Sequence, residues 1–272
     1  KHWFPVASVR ELDPLRPTPV RIEGKALVVW CEPEPLSLPD ASGEVRRRKR
    51  SPVALDDRAW HVFEDVCPHR LAPLSEGRIE PKTGRIQCAY HGWEFDADGK
   101  CHTIPSMDIE SCDRHCSQKE SCAVTFPSKV VFGLVWAWLG KGEPQGSPME
   151  LFIGSDLEGE IITRTYTRDL AYGYDTLMEN LIDPSHIPFA HHGLQGTRDD
   201  AKPINMTMLR DTAGIRFEFD DRTMGKNRHC TFTLLSPFLA YYRGKFEGKA
   251  DPWKLNFACV PIAPGESRLI LI

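Results

Sequence analysis

The chain has 272 residues, of which 41% are hydrophobic and 26% charged, and its formal net charge is −4. This composition is that of a globular protein of one large or two modest domains, which excludes the fibrous and disordered classes and argues against a nucleic-acid-binding surface. The longest apolar run, 130–139, contains Gly133 and is far shorter than the roughly 18 residues that a membrane span needs. We therefore expect membrane contact only through segments outside this sequence.

The first half of the chain reads as a small antiparallel β domain over 1–145. Clusters of Pro, Gly and Asp separate short runs rich in β-branched and aromatic residues. A segment at about 32–57, rich in Pro, Ser and charge, contains the basic run 46–50, for which a solvated loop insertion is favoured over a docking site for an acidic partner. The predicted strands are 26–31, 59–66, 85–89 and 130–139.

The second half reads as a separate α+β domain over 150–272, after a linker at 141–148. One helical segment is predicted near 175–191. The predicted strands around it are 161–170, 215–220, 230–235 and 254–260. Because the first residue is not Met and the last residues form a strand-like run, we expect the sequence to be a fragment of a longer protein.

Two short loops each combine a cysteine with a histidine, as Cys67-Pro-His69 and Cys88-Ala-Tyr-His91. Nine cysteines are an odd number in a chain of this size, which argues against a disulfide framework. Structural zinc also binds two Cys and two His, but about two to four residues usually separate its paired ligands, whereas one residue separates Cys67 from His69. In a Rieske [2Fe–2S] centre two His replace two Cys on one iron. The spacing therefore favours an iron–sulfur cluster over zinc.

A second group of candidate ligands follows in the pattern Asn180-x-x-Asp183-x-x-His186-x-x-x-x-His191. Two histidines five residues apart point about 140° apart on an ideal helix. They can share a metal only if the helix breaks between them, and we expect Pro188 to supply that break. Asp183 and His186 share a helix face, so the Asp183 carboxylate is expected to accept a hydrogen bond from the His186 ring.

These motifs together resemble the Rieske-type non-haem iron oxygenases, through Cys-Pro-His-Arg-Leu-Ala at 67–72, Cys-Ala-Tyr-His-Gly-Trp-Glu-Phe at 88–95 and the downstream histidine pattern. The resemblance implies the fold class α+β, with an all-β Rieske domain followed by a helix-grip-like catalytic domain that lacks its C-terminal part. The implied metal ligands are Cys67 and Cys88 on one iron of the cluster, His69 and His91 on the other, and His186 and His191 on a mononuclear Fe(II).

The same resemblance assigns catalytic roles to Asp183 and Asn180. Asp183 carries electrons from the cluster to the mononuclear iron by bridging His186 to His91 of a neighbouring subunit, which implies a head-to-tail homotrimer. A ferredoxin or reductase supplies the electrons and O₂ is the co-substrate. The carboxylate that completes the iron site comes from a late helix in the family, so we expect it beyond Ile272. Aspartates present here but in no matching context are Asp199, Asp200, Asp211, Asp220, Asp221 and Asp251.

Stretches 64–77, 179–188 and 261–268 look most like the plastid and cyanobacterial branch with pheophorbide a oxygenase, chlorophyllide a oxygenase and an inner-envelope translocon component. This likeness implies insertion of oxygen into a chlorophyll-derived tetrapyrrole and a plastid location, in thylakoid or envelope. An oxygenase or O-demethylase of a smaller aromatic, and a non-enzymatic redox subunit, stay open. Aromatic residues that could line a cavity for a large apolar substrate, each more often core, are Phe217, Phe219, Phe232, Phe238, Tyr241, Tyr242 and Phe246.

A cysteine-rich stretch at 112–122 belongs to neither predicted metal site. It contains Cys112, His115, Cys116 and Cys122. A zinc knuckle, a redox disulfide and free thiols on a loop are all compatible with this irregular spacing.

Overall fold

The structure is a computed structural model that describes residues 3–33, 58–153, 155–159, 162, 164–209, 215–250 and 252–272. The chain divides into two compact units, Lys1–Glu150 and Leu151–Ile272, and each is described by itself. The basic run at 46–50 and most of the predicted insertion lie outside the described residues. No helix of the described part is both long and apolar enough to cross a membrane.

The described part of the first unit contains three small antiparallel sheets and one α-helix. The sheets have the strand orders β1-β11-β10, β2-β3-β4-β9 and β5-β6-β7-β8. The large side chains Trp30, Phe63 and Trp136 are fully buried between them. In chain order the elements are β1 (Trp3–Ser8), β2 (Thr18–Ile22), β3 (Lys25–Cys31), β4 (Trp60–Glu64), β5 (Arg78–Ile79), β6 (Ile86–Gln87), β7 (Glu94–Phe95), β8 (Cys101–Thr103), α1 (Ile109–Cys116), β9 (Thr125–Phe126), β10 (Ser128–Val131) and β11 (Leu134–Trp138).

Strands β10 and β11 form a hairpin where the sequence predicted one strand over 130–139. Phe132 and Gly133 both have positive φ, 55° and 67°, and Val131 pairs with Leu134. A two-residue turn of this kind matches the right-handed twist of the strands it joins. The single-strand prediction was wrong because the glycine marks a turn within an apolar run.

Over its described residues, the second unit contains a seven-stranded antiparallel sheet and two short α-helices. Its strand order is β12-β18-β17-β16-β15-β14-β13. The order of an all-β domain followed by an α+β domain, predicted from the sequence, is confirmed. In chain order the elements are β12 (Tyr166–Leu170), α2 (Tyr174–Ile182), α3 (Ile187–Ala190), β13 (Met206–Leu209), β14 (Ile215–Thr223), β15 (Lys226–Ser236), β16 (Leu239–Phe246), β17 (Trp253–Ala263) and β18 (Glu266–Leu271).

Helix α2 packs on one face of this sheet. Its buried residues Leu177 and Met178 join a core made from every second residue of four strands, as expected for a sheet with one covered face. The Tyr242 hydroxyl donates a hydrogen bond of 2.5 Å to the Leu181 carbonyl and so fastens the end of the helix to β16. The strand residues of this core are Phe217, Phe219, Cys230, Phe232, Ala240, Tyr242, Phe257 and Cys259.

The predicted helix over 175–191 is interrupted, but earlier than expected. Helix α2 ends at Ile182, because Asp183 is extended (φ −90°, ψ 105°) before a short 3-10 turn at Pro184–His186. Pro188 lies in the first turn of α3, where the missing N–H of proline costs no helical hydrogen bond. The break is therefore at Asp183–Pro184, and the prediction that Pro188 supplies it was wrong.

In the first unit the loops that carry Cys67 and Cys88 approach each other at Gly77. Gly77 lies just before β5, and a Cβ atom there would overlap the backbone carbonyl oxygen of Gln87, the residue before Cys88. The buried Asp65 fixes the other end of this connection by accepting hydrogen bonds from the Ser75 amide (2.7 Å) and hydroxyl (2.6 Å). Only a residue without a side chain lets the two loops meet at this distance.

We predict that Gly77→Ala separates the two loops. The overlap is with backbone, so β6 must shift, at a cost of about 1–3 kcal/mol in unfolding free energy. Iron and acid-labile sulfide per chain should fall, because Cys88 follows the displaced strand directly. Metal and sulfide analysis of the purified protein measures this.

Gly24→Ala is the matched control. Its Cβ meets nothing within 4 Å, while its φ of +76° gives the substitution a strain of about 1–2 kcal/mol. We expect the two variants to lose a similar amount of stability, but only Gly77→Ala to lose iron and sulfide. Equal metal content in the two variants would contradict the assignment of the two loops to a metal cluster.

Candidate metal centres

The two cysteine loops of the first unit have the same backbone turn. The amides of Cys67 and Cys88 each donate to the carbonyl five residues later, at 2.8 and 2.9 Å. Their carbonyls each accept from the amide four residues later, at 2.9 and 3.0 Å, and that residue has positive φ in both loops (Leu71 59°, Gly92 72°). Each turn therefore begins with its cysteine in the same backbone position, while the histidine follows two residues later in the first turn and three residues later in the second.

The turns bring the four predicted ligands together as two like pairs. The rings of His69 and His91 lie 4.6 Å apart between centroids. Cys67 and Cys88 are only 2% and 3% exposed, and burial together with the neighbouring Cys88 thiol raises the pKa of Cys67. The histidine pair offers nitrogen atoms as ligands and is partly exposed to solvent, whereas the cysteine pair offers sulfur atoms and is buried.

This pairing fits a two-iron cluster better than one zinc ion. Among the described residues no three His, Cys, Asp or Glu side chains converge so as to hold a single metal ion. Burial raises the pKa of the Cys67 thiol to about 11, so binding of iron must displace a proton there. Burial and the neighbouring His91 lower the pKa of His69, which favours the neutral imidazole that metals bind.

Two aromatic residues that sequence reasoning did not identify orient the histidines. Trp93 stacks on His69 with ring centroids 4.7 Å apart and planes 6° from parallel. Tyr90 lies against His91 at 3.9 Å. Their positions beside His91 in the sequence are the signal that could have found them, since aromatic contacts hold a ligating ring in place before metal arrives.

In the second unit His186 and His191 lie at the two ends of α3, with ring centroids 5.1 Å apart. The Nδ1 atom of His186 hydrogen bonds to the backbone carbonyl of Asp183, which leaves Nε2 as the atom that can bind a metal. Burial, together with the neighbouring His186, lowers the pKa of His191 and favours its neutral form. The structure therefore brings the predicted histidine pair together.

The Asp183 carboxylate does not accept from His186 as the sequence predicted. Its Oδ1 atom caps the 3-10 turn by accepting from the Ser185 amide (2.7 Å) and hydroxyl (2.5 Å), and the residue holds His186 through its carbonyl instead. The reason is the extended backbone of Asp183, which takes the residue off the helix face that the prediction assumed. Asn180, the other predicted catalytic residue, is exposed on α2.

A cavity of about 650 Å³ opens beside the two histidines, within the second unit. Asn180, Asp183, His186 and His191 lie in its wall, and most of the rest of the wall is apolar. Its volume lies in the range of about 300–1,000 Å³ that is typical of small-molecule sites. Apolar and aromatic lining residues include Leu177, Leu181, Phe219, Tyr242, Trp253 and Leu269.

Of the seven aromatic residues proposed from the sequence, Phe219 and Tyr242 line this cavity. Phe217 and Phe232 share with them the core between α2 and the sheet but do not line the cavity. All four lie on the face of the sheet that α2 covers, so the extent of the cavity decides which of them line it, and residue type alone does not reveal that. The other three proposed residues are Phe238, Tyr241 and Phe246, which are not among those that line it.

No carboxylate of the described residues joins the histidine pair as a third ligand. Asp200 accepts from the amides of Thr197 (2.8 Å) and Gly225 (2.7 Å), and Asp221 is ion-paired with Arg228. Asp199 and Asp220 belong to no group of described residues that could hold a metal ion. Asp211 and Asp251 lie outside the described residues.

Comparison with known proteins finds relatives that match nearly the whole chain. Residues 2–113 match the Rieske [2Fe-2S] domain. Pheophorbide a oxygenase of Arabidopsis thaliana is 40% identical over 99% of this chain and 47% of that protein, and the Oryza sativa subsp. japonica protein is 38% identical over 99% and 48%. Flavonoid 8-hydroxylase 2 of Ocimum basilicum is 35% identical over 99% and 51%. All three names include the word chloroplastic, and the chain spans about half the length of these curated relatives.

Solved structures share the fold. The caffeine-bound NdmA mutant of Pseudomonas putida CBB5 has a TM-score of 0.67 at 22% identity, with 99% of this chain and 72% of that chain covered. Dicamba monooxygenase bound to dicamba has a TM-score of 0.70 at 18% identity, with 99% and 75% covered. The match over residues 2–113 supports the Rieske cluster predicted from the sequence. Nearly the whole chain is similar to the pheophorbide a oxygenases named above, and its fold is that of the solved oxygenase structures.

Proposed function

We propose that this chain is the cluster-bearing and iron-bearing part of an oxygenase that inserts oxygen from O₂ into a chlorophyll-derived tetrapyrrole. The observation that carries the proposal is the pair His186 and His191 at the wall of an apolar cavity of about 650 Å³. A metal held by two histidines with open positions is suited to O₂ chemistry, and a cavity beside it places a substrate within reach.

The proposed metal ligands are the two like pairs and the histidine pair. Cys67 and Cys88 would hold one iron of the cluster, His69 and His91 the other, and His186 with His191 the mononuclear iron. When bound, the cluster supplies single electrons and the mononuclear iron supplies O₂ activation.

The chain's own contribution is positioning. The Asp183 carbonyl fixes the tautomer and the orientation of the His186 ring. The apolar walls formed by residues such as Leu181 and Trp253 exclude water and bind a flat apolar ligand. Asn180 lies in the same wall and offers an amide for hydrogen bonding to the substrate.

Asp183 is proposed to connect subunits. Both hydrogen bonds from Ser185 go to Oδ1, and within the described part of the chain Oδ2 accepts none. The Oδ2 atom is therefore available to His91 of the partner subunit in a head-to-tail homotrimer, where it provides the electron route between the two metal sites. A ferredoxin or reductase in the plastid is the proposed electron donor.

The substrate class rests on sequence likeness together with the cavity. Relatives named pheophorbide a oxygenase match the chain over nearly its whole length at 38–40% identity. A second candidate substrate is a flavonoid, because flavonoid 8-hydroxylase 2 also matches 99% of the chain, at 35% identity. The cavity volume is compatible with both classes.

Turnover of the full-length protein with heavy-isotope O₂ tests the function. The assay supplies reduced ferredoxin and either pheophorbide a or a flavone, and mass spectrometry follows the label. We expect label in a tetrapyrrole product and its loss in His186→Ala, while the cluster signal of that variant persists. Label only in the flavone product would replace the first substrate class by the second, and no labelled product from a fully metal-loaded protein would contradict the oxygenase.

A second prediction concerns Asp183. Asp183→Asn keeps the carbonyl that holds His186 and a side chain that can still cap the turn, but it removes the charge. We expect steady-state turnover to fall by about 10–100-fold with iron and sulfide content unchanged. Rapid-mixing kinetics should localise the loss to reoxidation of the cluster by the second site.

Asp175→Asn, an exposed change in the first turn of the same helix, is the control and should leave turnover unchanged. Cluster reoxidation at the normal rate in Asp183→Asn would contradict the proposed route.

A further inference from the structure

Three cysteines outside the metal centres lie in a row in the first unit. The Sγ atom of Cys116 is 3.3 Å from that of Cys101 and 3.6 Å from that of Cys112. Cys101 is on β8, whereas Cys112 and Cys116 are one turn apart on α1. The row therefore joins two elements that are separate in the sequence.

The row runs from the surface into the core. Cys112 is half-buried, Cys116 is buried, and Cys101 has no exposed surface. Burial raises the pKa of both Cys101 and Cys116, so each gives up its proton only as it attacks. An oxidant from solvent thus meets Cys112 first.

This set of three cysteines differs from the set of cysteines and histidine that the sequence analysis considered in the cysteine-rich stretch. Cys122 takes no part, since its thiol bonds to the Gln118 carbonyl at 3.6 Å, and His115 is exposed. Among the residues that the structure describes, no three donors of this region are arranged to hold a metal ion. All three thiols of the row are free.

We propose that Cys101, Cys112 and Cys116 form a peroxide-sensitive dithiol–disulfide site. Hydrogen peroxide oxidises the Cys112 thiol to a sulfenic acid and releases one water. The Cys116 sulfur then attacks the Cys112 sulfur, forming a disulfide and releasing the second water. The Cys101 sulfur next attacks Cys116, the bond to Cys112 breaks, and the proton of Cys101 passes to Cys112, which ends as a thiol. Two thiols and one peroxide thus give one disulfide and two waters.

The final bond is placed between Cys101 and Cys116 for a geometric reason. Residues one turn apart on a helix are about 6 Å apart along its axis, near the upper limit of Cα separation for a disulfide. Cys101 approaches Cys116 more closely and from a different element. Exchange to Cys101 therefore relieves the strain of the first disulfide.

The cross-link would tie α1 to the sheet that carries a cysteine loop. Cys101 pairs with Phe95 on β7, and Glu94 of β7 pairs with Gln87, the residue before Cys88. Cys101 and Cys116 also share one core with Cys67 and Cys88. A reducing dithiol that attacks the disulfide restores the open form.

The test is peptide mapping of the full-length holoprotein after a short pulse of hydrogen peroxide and alkylation. We expect the loss of two titratable thiols, a Cys101–Cys116 linked peptide, and recovery of both thiols with dithiothreitol. Optical and EPR signals of the cluster, recorded on the same sample, show that the linkage forms before any cluster is lost.

Variants separate the steps. Cys116→Ser should form no linkage and should leave Cys112 as a sulfenic acid that dimedone traps, and Cys112→Ser should slow formation of the Cys101–Cys116 bond. Cys122→Ser, a change in the same region outside the row, should react as wild type does. A Cys112–Cys116 end product, a linkage to Cys122, or separate alkylation of Cys101 and Cys116 after the pulse would each overturn the proposal.

Discussion

The close approach of two equivalent backbone turns is the constraint on which the first unit depends. The turns that begin at Cys67 and Cys88 have the same hydrogen bonds, and Gly77 lets the segment after the first turn lie backbone against backbone with Gln87, the residue before the second. This approach brings cysteine beside cysteine and histidine beside histidine. Two irons with unequal ligands need that arrangement, whereas one tetrahedral ion needs all four donors at one point.

The second unit presents two candidate metal ligands to an open cavity. An extended residue, Asp183, ends α2 and starts a 3-10 turn, so that His186 and His191 lie at the ends of one turn of helix with their rings close. The sheet beneath supplies aromatic and aliphatic walls from alternate positions of its strands. The same residue that breaks the helix also holds the His186 ring, so local backbone geometry and ligand orientation depend on one position.

The sequence was sufficient to predict the fold class and which histidines come together, because two loops that each pair one cysteine with one histidine at this spacing suit few metal sites besides a Rieske cluster. It was insufficient where backbone geometry decides. Gly133 forms a turn, and Asp183, not Pro188, interrupts the helix. Both outcomes depend on φ values that tertiary packing selects. The contact between Cys101 and Cys116 also could not be predicted, because the two residues lie on different elements that only the tertiary fold brings together.

The most direct test of the account is the metal and sulfide content of the full-length protein, measured with EPR of the dithionite-reduced form. We expect the protein to contain roughly two sulfides and three irons per chain, and to give a Rieske-type spectrum with coupling to nitrogen from two histidines. A protein with stoichiometric zinc and no sulfide, or a cluster spectrum without nitrogen coupling, would contradict the pairing of ligands from which the rest follows.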